Sequence, residues 1–235
     1  NCAKEPEVFW LCRYLRSMGA LIKGEETKEI MITGIRELGP GNYTIPPDRI
    51  VAGTYLCAAA ATRSEITLRN VPEQELQAFL EVYQKIGGQY TRKSGTLVAD
   101  SKNVQHAVPY VETEEYPGFP TDLQSLYLAA AMTLEGKSCI CENVFEDRLR
   151  TAEELQKMGG TLQICGKWLT AEKSRLHGAE VVSQDLRGGA ALVSAALAAE
   201  GFSTIRQTEL IERGYERFPE TLRELGAKII VEKEI

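Results

Sequence analysis

Apolar and polar positions along the chain fall into two patterns that recur together. One is an amphipathic helical lead that closes on a glycine: LRSMGALI (15–22), YQKIGGQY (83–90), LQKMGGTL (155–162) and LRELGAKI (222–229). The closing glycines, Gly19, Gly87, Gly159 and Gly226, are spaced by roughly seventy residues. Glycine suits a helix C-terminus, where the chain needs a left-handed conformation that side chains resist. The segments that follow alternate and turn through a glycine, as in QYTRKSGTLVAD (89–100) and TLQICGKWLTA (161–171), which predicts β-hairpins.

The second pattern lies between copies of the first. It runs PDRIVAGTYLCAAAATRSEITLRNV from Pro47, FPTDLQSLYLAAAMTLEGKSCICENV from Phe119 and SQDLRGGAALVSAALAAEGFSTIRQTEL from Ser183. Each copy is an aspartate (Asp48, Asp122 or Asp185), a helix dense in alanine and leucine, a small polar turn and a β-rich strand. Joined, the patterns make a unit of about 70 residues in the order β-α-β-α-β-β. Three units span 47–235, and the tail of a fourth, incomplete one fills 1–46. Such a unit cannot hide its faces alone, so the units should pack around a common core. The alanine-rich helices are apolar on most sides and belong in the middle. The expected fold is α/β (α+β), with repeated βαβαββ units, helices inside and sheets outside.

Charge and composition narrow the partners. A net charge of −6 argues against a general nucleic-acid binder. It leaves room for an anionic small ligand, because a few arginines can reverse the field inside a cleft. No membrane span is expected, since the alanine-rich stretches at 58–61 and 190–199 are short or interrupted by polar residues. The opening NCAKEPEV is charged from its start, so no signal peptide is expected there. The six cysteines form no CxxC pair, and His106 and His177 lie far apart, so no metal site is expected. Cysteines within apolar runs such as YLCAAAA suggest buried thiols in a reducing cytoplasm.

An aspartate ahead of a helix is first of all an N-cap, and that role suffices for any one of Asp48, Asp122 and Asp185. Three equivalent helices would also turn their N-termini to one side of the core, where free N–H groups attract anions. Arg49 and Arg187 follow two of the aspartates, Arg148 lies in VFEDR, and Arg213 lies in IERGYER. Singly, each arginine reads as a solvated charge or a structural ion pair. At matched places in the repeats they fit an anion clamp, because the guanidinium fork suits phosphate and carboxylate. The prolines of YPGFP (116–120) restrict the backbone just before Asp122. A carboxylate held there is a candidate general base for a substrate hydroxyl.

FPTDLQ, ENVFEDR, QDLRGGAALV and ERGYER, in this order and at these spacings, closely resemble the UDP-N-acetylglucosamine 1-carboxyvinyltransferases, the enolpyruvyl transferases of peptidoglycan synthesis. NCAKEPEV and PDRIVAGTYL (47–56) resemble them too. The resemblance implies the inside-out barrel of that family: two domains of three βαβαββ units each, facing one another across a cleft. Residues 1–46 would be the last unit of the first domain and 47–235 the second domain. The implied reaction adds the 3-hydroxyl of UDP-N-acetylglucosamine to C2 of phosphoenolpyruvate, protonates C3, and then releases phosphate to form the enol ether. No metal or organic cofactor is implied. By motif, Asp122 meets the sugar hydroxyl as the base, and Val144 contacts the sugar nucleotide through its backbone. Arg187 and Arg213 bind the phosphoenolpyruvate side with Arg148 nearby, while Asp185 sits beside the reacting carbons and helps to move a proton. Asp48 and Arg49 fall where the chain crosses between domains and orient the closing lobes. Glu5 faces the cleft.

The same resemblance implies that much of a first domain is absent: a Lys-Asn pair, a loop with a cysteine proton donor, several arginines and a uridine-binding segment. None of the six cysteines falls in a matching loop, so none is assigned to catalysis. The expectation is a cytoplasmic chain that does not complete the reaction alone and needs an N-terminal half, with no nucleic-acid or membrane partner. Two alternatives stand beside it. One is a shikimate-type enolpyruvyl transferase. The other is a non-catalytic half that works by pairing with another polypeptide.

Overall fold

The computed structural model of the chain describes residues 1–145 and 148–232. Helix α1 (Pro6–Ser17) and the antiparallel strands β1 (Leu21–Lys23) and β2 (Met31–Thr33) come first. Residues 34–48 form neither helix nor strand. The chain then enters α2 (Arg49–Thr62), β3 (Glu65–Arg69), α3 (Gln77–Lys85), β4 (Gln89–Lys93) and β5 (Thr96–Asp100). A second run holds β6 (Tyr110–Glu112), α4 (Gln124–Ala131), β7 (Lys137–Cys141), α5 (Thr151–Lys157), β8 (Thr161–Cys165) and β9 (Trp168–Glu172). The last contains β10 (Glu180–Val182), α6 (Leu186–Ala198), β11 (Thr204–Arg206), α7 (Glu209–Glu212) and α8 (Phe218–Glu224).

The repeat is borne out at its helix ends. Gly19, Gly87, Gly159 and Gly226 all take positive φ, between 89° and 103°. The N–H groups of Ala20, Gly88, Gly160 and Ala227 reach back to Leu15, Tyr83, Leu155 and Leu222, closing the same double-bonded turn after α1, α3, α5 and α8. The hairpins expected at 89–100 and 161–171 form as β4–β5 and β8–β9, in register from Gln89↔Asp100 and from Thr161↔Glu172.

The alanine-rich helices α2, α4 and α6 pack on one another pairwise in the centre, and the sheets lie outside them. Every residue of α4 is buried. Small side chains let the helices approach: a Cβ built on Gly53 of α2 would stand 2.5 Å from Leu123 Cδ1, just ahead of α4. Apolar area removed from water in this centre is the main favourable term holding the three runs together.

The middle run completes the expected βαβαββ unit, as a sheet in the order β6-β7-β9-β8 with β6 and β7 parallel. The flanking units depart from it. The unit before it has the sheet β3-β5-β4, to which neither β1 nor β2 is joined, and the unit after it has the parallel pair β10-β11. The alternating segment after Gly226 was expected to be strand. Residues 227–232 form none, and Ile230 and Val231 are exposed. Ala227 and Ile229 pack against the core, but a strand also needs a pairing partner, and this segment has none among the described residues.

Candidate active site at the helix starts

The segment ahead of α4 does not repeat those ahead of α2 and α6. Asp48 caps α2, its Oδ1 accepting from the N–H groups of Ile50 (2.6 Å) and Val51 (3.2 Å). Asp185 caps α6 in the same way, with Arg187 and Gly188 N–H groups each at 2.9 Å. These two follow the simple N-cap reading. Asp122 does not. A 3-10 turn, Thr121–Leu123, precedes α4, and neither Pro120 ahead of the turn nor Leu123 ahead of the helix gives a side-chain cap. The Asp122 carboxylate is therefore left to tertiary partners.

Those partners are two arginines. Arg148 Nη2 donates to Asp122 Oδ1 at 2.6 Å, while Arg187 Nε and Nη2 donate to Oδ2 at 3.3 and 3.2 Å. Both guanidinium side chains are about 10% exposed, whereas that of Asp122 is 36% exposed. Arg148 Nη1 also lies 3.8 Å from Asp185 Oδ1, so one guanidinium spans two of the three aspartates. Aromatic faces hold the arginines in place: Arg148 lies 4.8 Å over Phe145 and Arg187 lies 5.4 Å over Tyr215. Tyr215 is buried, and its hydroxyl pairs with Thr54 Oγ1 at 2.8 Å. Burial pushes the Tyr215 phenol up, and Arg187 only partly counters it. Burial alone would lower the Arg187 pKa, but Tyr215 and Asp122 more than offset it and the net shift is upward. Among the described residues, Arg148 Nε and Arg187 Nη1 are buried without a hydrogen-bond acceptor. Buried donors without acceptors are costly, which marks a place for a further acceptor.

These groups border a cavity of about 1050 Å³. Its wall includes Glu5, Asp48, Arg49, Asp122, Val144 and Arg187, so the structure gathers six of the residues singled out from the sequence. Arg148 and Asp185 join them through Asp122 and Arg148 respectively. Arg213 is placed differently: it is exposed at the C-terminal end of α7 and off the cavity wall. Arg49 is buried and engaged by Glu7 of α1 (Nε to Oε1, 3.0 Å), with the Tyr116 ring 5.4 Å away. It ties α1 to the start of α2. Glu5 Oε1 accepts from the Tyr116 N–H at 3.4 Å, and its Oε2 is buried without a partner. Val144 is exposed, and its N–H already donates to Glu142 Oε1 at 2.9 Å. Glu146 and Asp147, within ENVFEDR, lie outside the described residues.

Tyr215, Tyr116 and Glu142 were not singled out from the sequence, although they lie inside the quoted stretches ERGYER, YPGFP and ENVFEDR. Among the described residues no group of three His, Cys, Asp or Glu is placed to hold a metal ion, and no helix is long and apolar enough to cross a membrane. All six cysteines are free thiols.

Repeated units with helices inside, and a cluster of arginines and aspartates at the helix starts, define an α/β protein with a charged site at one end of its inner helices. Residues 1–222 match the family model of EPSP synthase (3-phosphoshikimate 1-carboxyvinyltransferase), and the chain belongs to that family. Its sequence is 40% identical, over 98% of its length, to UDP-N-acetylglucosamine 1-carboxyvinyltransferase 2 of Caldanaerobacter subterraneus, and covers 55% of that protein. It is 44% identical, over 97% of its length, to UDP-N-acetylglucosamine 1-carboxyvinyltransferase 1 of Legionella pneumophila, and covers 46% of that one. The chain thus spans about half the length of the curated relatives it matches. Among solved structures it resembles the enolpyruvyl transferase NikO from Streptomyces tendae (TM-score 0.78, 24% identity, 95% of this chain and 54% of that one). It also resembles EPSP synthase from Acinetobacter baumannii (TM-score 0.70, 22% identity, 94% and 55%). These likenesses support the fold of the chain.

Proposed function

We propose that this chain carries one lobe of an enolpyruvyl transferase that moves the enolpyruvyl group of phosphoenolpyruvate to the 3-hydroxyl of UDP-N-acetylglucosamine, within peptidoglycan synthesis in the cytoplasm. The observation that carries the proposal is Asp122, fixed between Arg148 and Arg187 on the wall of a cavity that also exposes Val144 and Glu5. Its support is the identity of about 40% to proteins bearing that name.

In this reading the sugar lies along Val144, whose N–H is committed to Glu142, so its backbone contact falls to the carbonyl. The 3-hydroxyl faces Asp122, which takes its proton as the oxygen bonds to C2 of phosphoenolpyruvate. C3 gains a proton, giving a tetrahedral intermediate. Loss of a C3 proton and of phosphate then yields the enol ether. Arg187 and Arg148 hold the anionic groups, and Asp185 is close enough to Arg148 to share in that field. Arg213 reaches the site only if the α7 end moves inward or the opposite lobe closes over it. Asp48 and Arg49 act at the crossing between lobes. The remaining half of the reaction surface comes from a second lobe, so this chain alone turns over slowly or not at all.

The test is phosphate release from phosphoenolpyruvate by the purified chain, with and without UDP-N-acetylglucosamine, before and after addition of an N-terminal half from a homologous enzyme. Release that needs both the sugar nucleotide and the added half supports the reading. Normal turnover by the chain alone overturns the one-lobe part of it. Calorimetry with shikimate 3-phosphate covers the rival that the family model's own description raises: binding of that ligand in preference to the sugar nucleotide would replace the substrate assignment. A chain that binds neither ligand and only assembles with another polypeptide would point to a non-catalytic half.

A further inference from the structure

Glu142 follows β7 and is buried, a costly place for a carboxylate unless its oxygens are well used. One oxygen is. Glu142 Oε1 accepts four hydrogen bonds: from Thr113 Oγ1 (2.8 Å), Thr121 Oγ1 (3.0 Å), Val144 N (2.9 Å) and Phe145 N (2.9 Å). The two N–H groups belong to the loop that carries the cavity wall. The Thr121 hydroxyl belongs to the residue just before Asp122. Thr113 follows β6, and its hydroxyl also accepts from the Asn143 N–H at 2.9 Å, which ties the same loop to the neighbouring strand.

The contacts close a ring through the site. Glu142 holds Phe145, whose ring lies under the Arg148 guanidinium. Arg148 holds Asp122. Asp122 adjoins Thr121, which returns to Glu142. Hydrogen bonds, a ring contact and one step of backbone thus link all five residues. We propose that Glu142 is a positioning residue: its single carboxylate oxygen locks the Val144 wall and the Thr121–Asp122 turn into one rigid unit, so that the sugar-nucleotide surface is formed before the ligand arrives. The proposal rests on the functional reading above. A preformed surface spares the ligand the cost of ordering the loop, so the residue acts on affinity without touching the ligand.

The experiment uses the whole chain and two readouts. The first, independent of any ligand, is hydrogen exchange at the Val144 and Phe145 amides in wild type, Glu142→Ala and Glu142→Gln. The second is calorimetric affinity for UDP-N-acetylglucosamine. Glu142→Ala should speed exchange at both amides at least about ten-fold while α2, α4 and α6 stay protected, and should weaken sugar-nucleotide binding by about ten-fold. Glu142→Gln keeps the volume and an oxygen at the Oε1 position, so it should stay within about three-fold of wild type in both. Where the alanine variant does not fold, glutamine and Thr121→Val carry the comparison. Thr121→Val should weaken binding and leave the two amides protected. Unchanged exchange in a folded Glu142→Ala, or faster exchange with unchanged affinity, overturns the proposal. Wild-type protein that fails to bind the sugar nucleotide even with the added N-terminal half sinks the functional reading instead, and the exchange comparison still decides whether Glu142 holds the loop.

Discussion

Asp122 itself takes up the two arginines proposed to hold an anion. Its two oxygens take one bond from Arg148 and two from Arg187. An incoming phosphate or carboxylate must compete with it for the same donors. Removing that charge should therefore strengthen anion binding, the opposite of what loss of an ordinary binding residue does. Asp122→Asn keeps the side-chain shape and one acceptor oxygen while deleting the negative charge. At an effective dielectric of about 20, a unit charge about 5 Å from a unit charge on the ligand costs roughly 3 kcal/mol. The Asp122 side chain is about one-third exposed, so solvent screening cuts this to about 1–2 kcal/mol. That is about a ten-fold gain in affinity for inorganic phosphate or phosphoenolpyruvate. Calorimetry at low and moderate salt is the assay, and the gain should shrink as salt rises. Asp185→Asn is the control. It preserves the cap on α6, and its carboxylate stands farther from Arg148, at 3.8 Å, so the gain should be smaller. Unchanged or weaker phosphate binding in Asp122→Asn would refute the idea that Asp122 fills the clamp. The arginines would then owe their placement to their aromatic contacts rather than to the carboxylate.

Other consequences can be checked by stability alone. Asp48→Ala removes two cap bonds from α2 and should cost about 1 kcal/mol in urea unfolding, with Asp48→Asn recovering most of it. Gly53→Ala drives a methyl into Leu123, which is fully buried, and should cost about 1–3 kcal/mol, visible as a lower Tm. Burial raises the pKa of Glu75, whose Oε1 accepts from the Trp10 indole at 3.1 Å. A carboxyl group raised in the folded state binds its proton more tightly there than in the unfolded chain. Stability should therefore fall as pH climbs from the ordinary glutamate range to that raised value. Glu75→Gln should flatten this slope, followed by Trp10 fluorescence during unfolding, and a slope left intact would rule Glu75 out as its source.

The features legible in the sequence are those that a short stretch of backbone decides by itself. A glycine after an amphipathic lead closes the same turn four times, because the left-handed φ is a local requirement. Asp48 and Asp185 cap their helices, because an N-cap reaches only two or three residues ahead. Asp122 carries the same signal and does otherwise. Its helix begins after an intervening 3-10 turn, and what captures its carboxylate is an arginine 26 residues away and another 65 away. Glu142 escaped notice for the same reason, since two of its four donors come from 29 and 21 residues upstream. The end of the chain makes the point from the opposite side. The segment after Gly226 has an alternating pattern like those that form β4–β5 and β8–β9, yet residues 227–232 are not a strand and leave Ile230 exposed. Alternation states which face a segment could bury, and Ala227 and Ile229 do lie against the core, but only a neighbouring strand can turn that segment into a strand. The middle unit has all its strands in one sheet and is complete, whereas the units on either side stop where a partner strand is not present among the described residues. The helices and the arginines of the site are held by core packing and by contacts across the three runs, so they form in full where the outer strands of the flanking units do not.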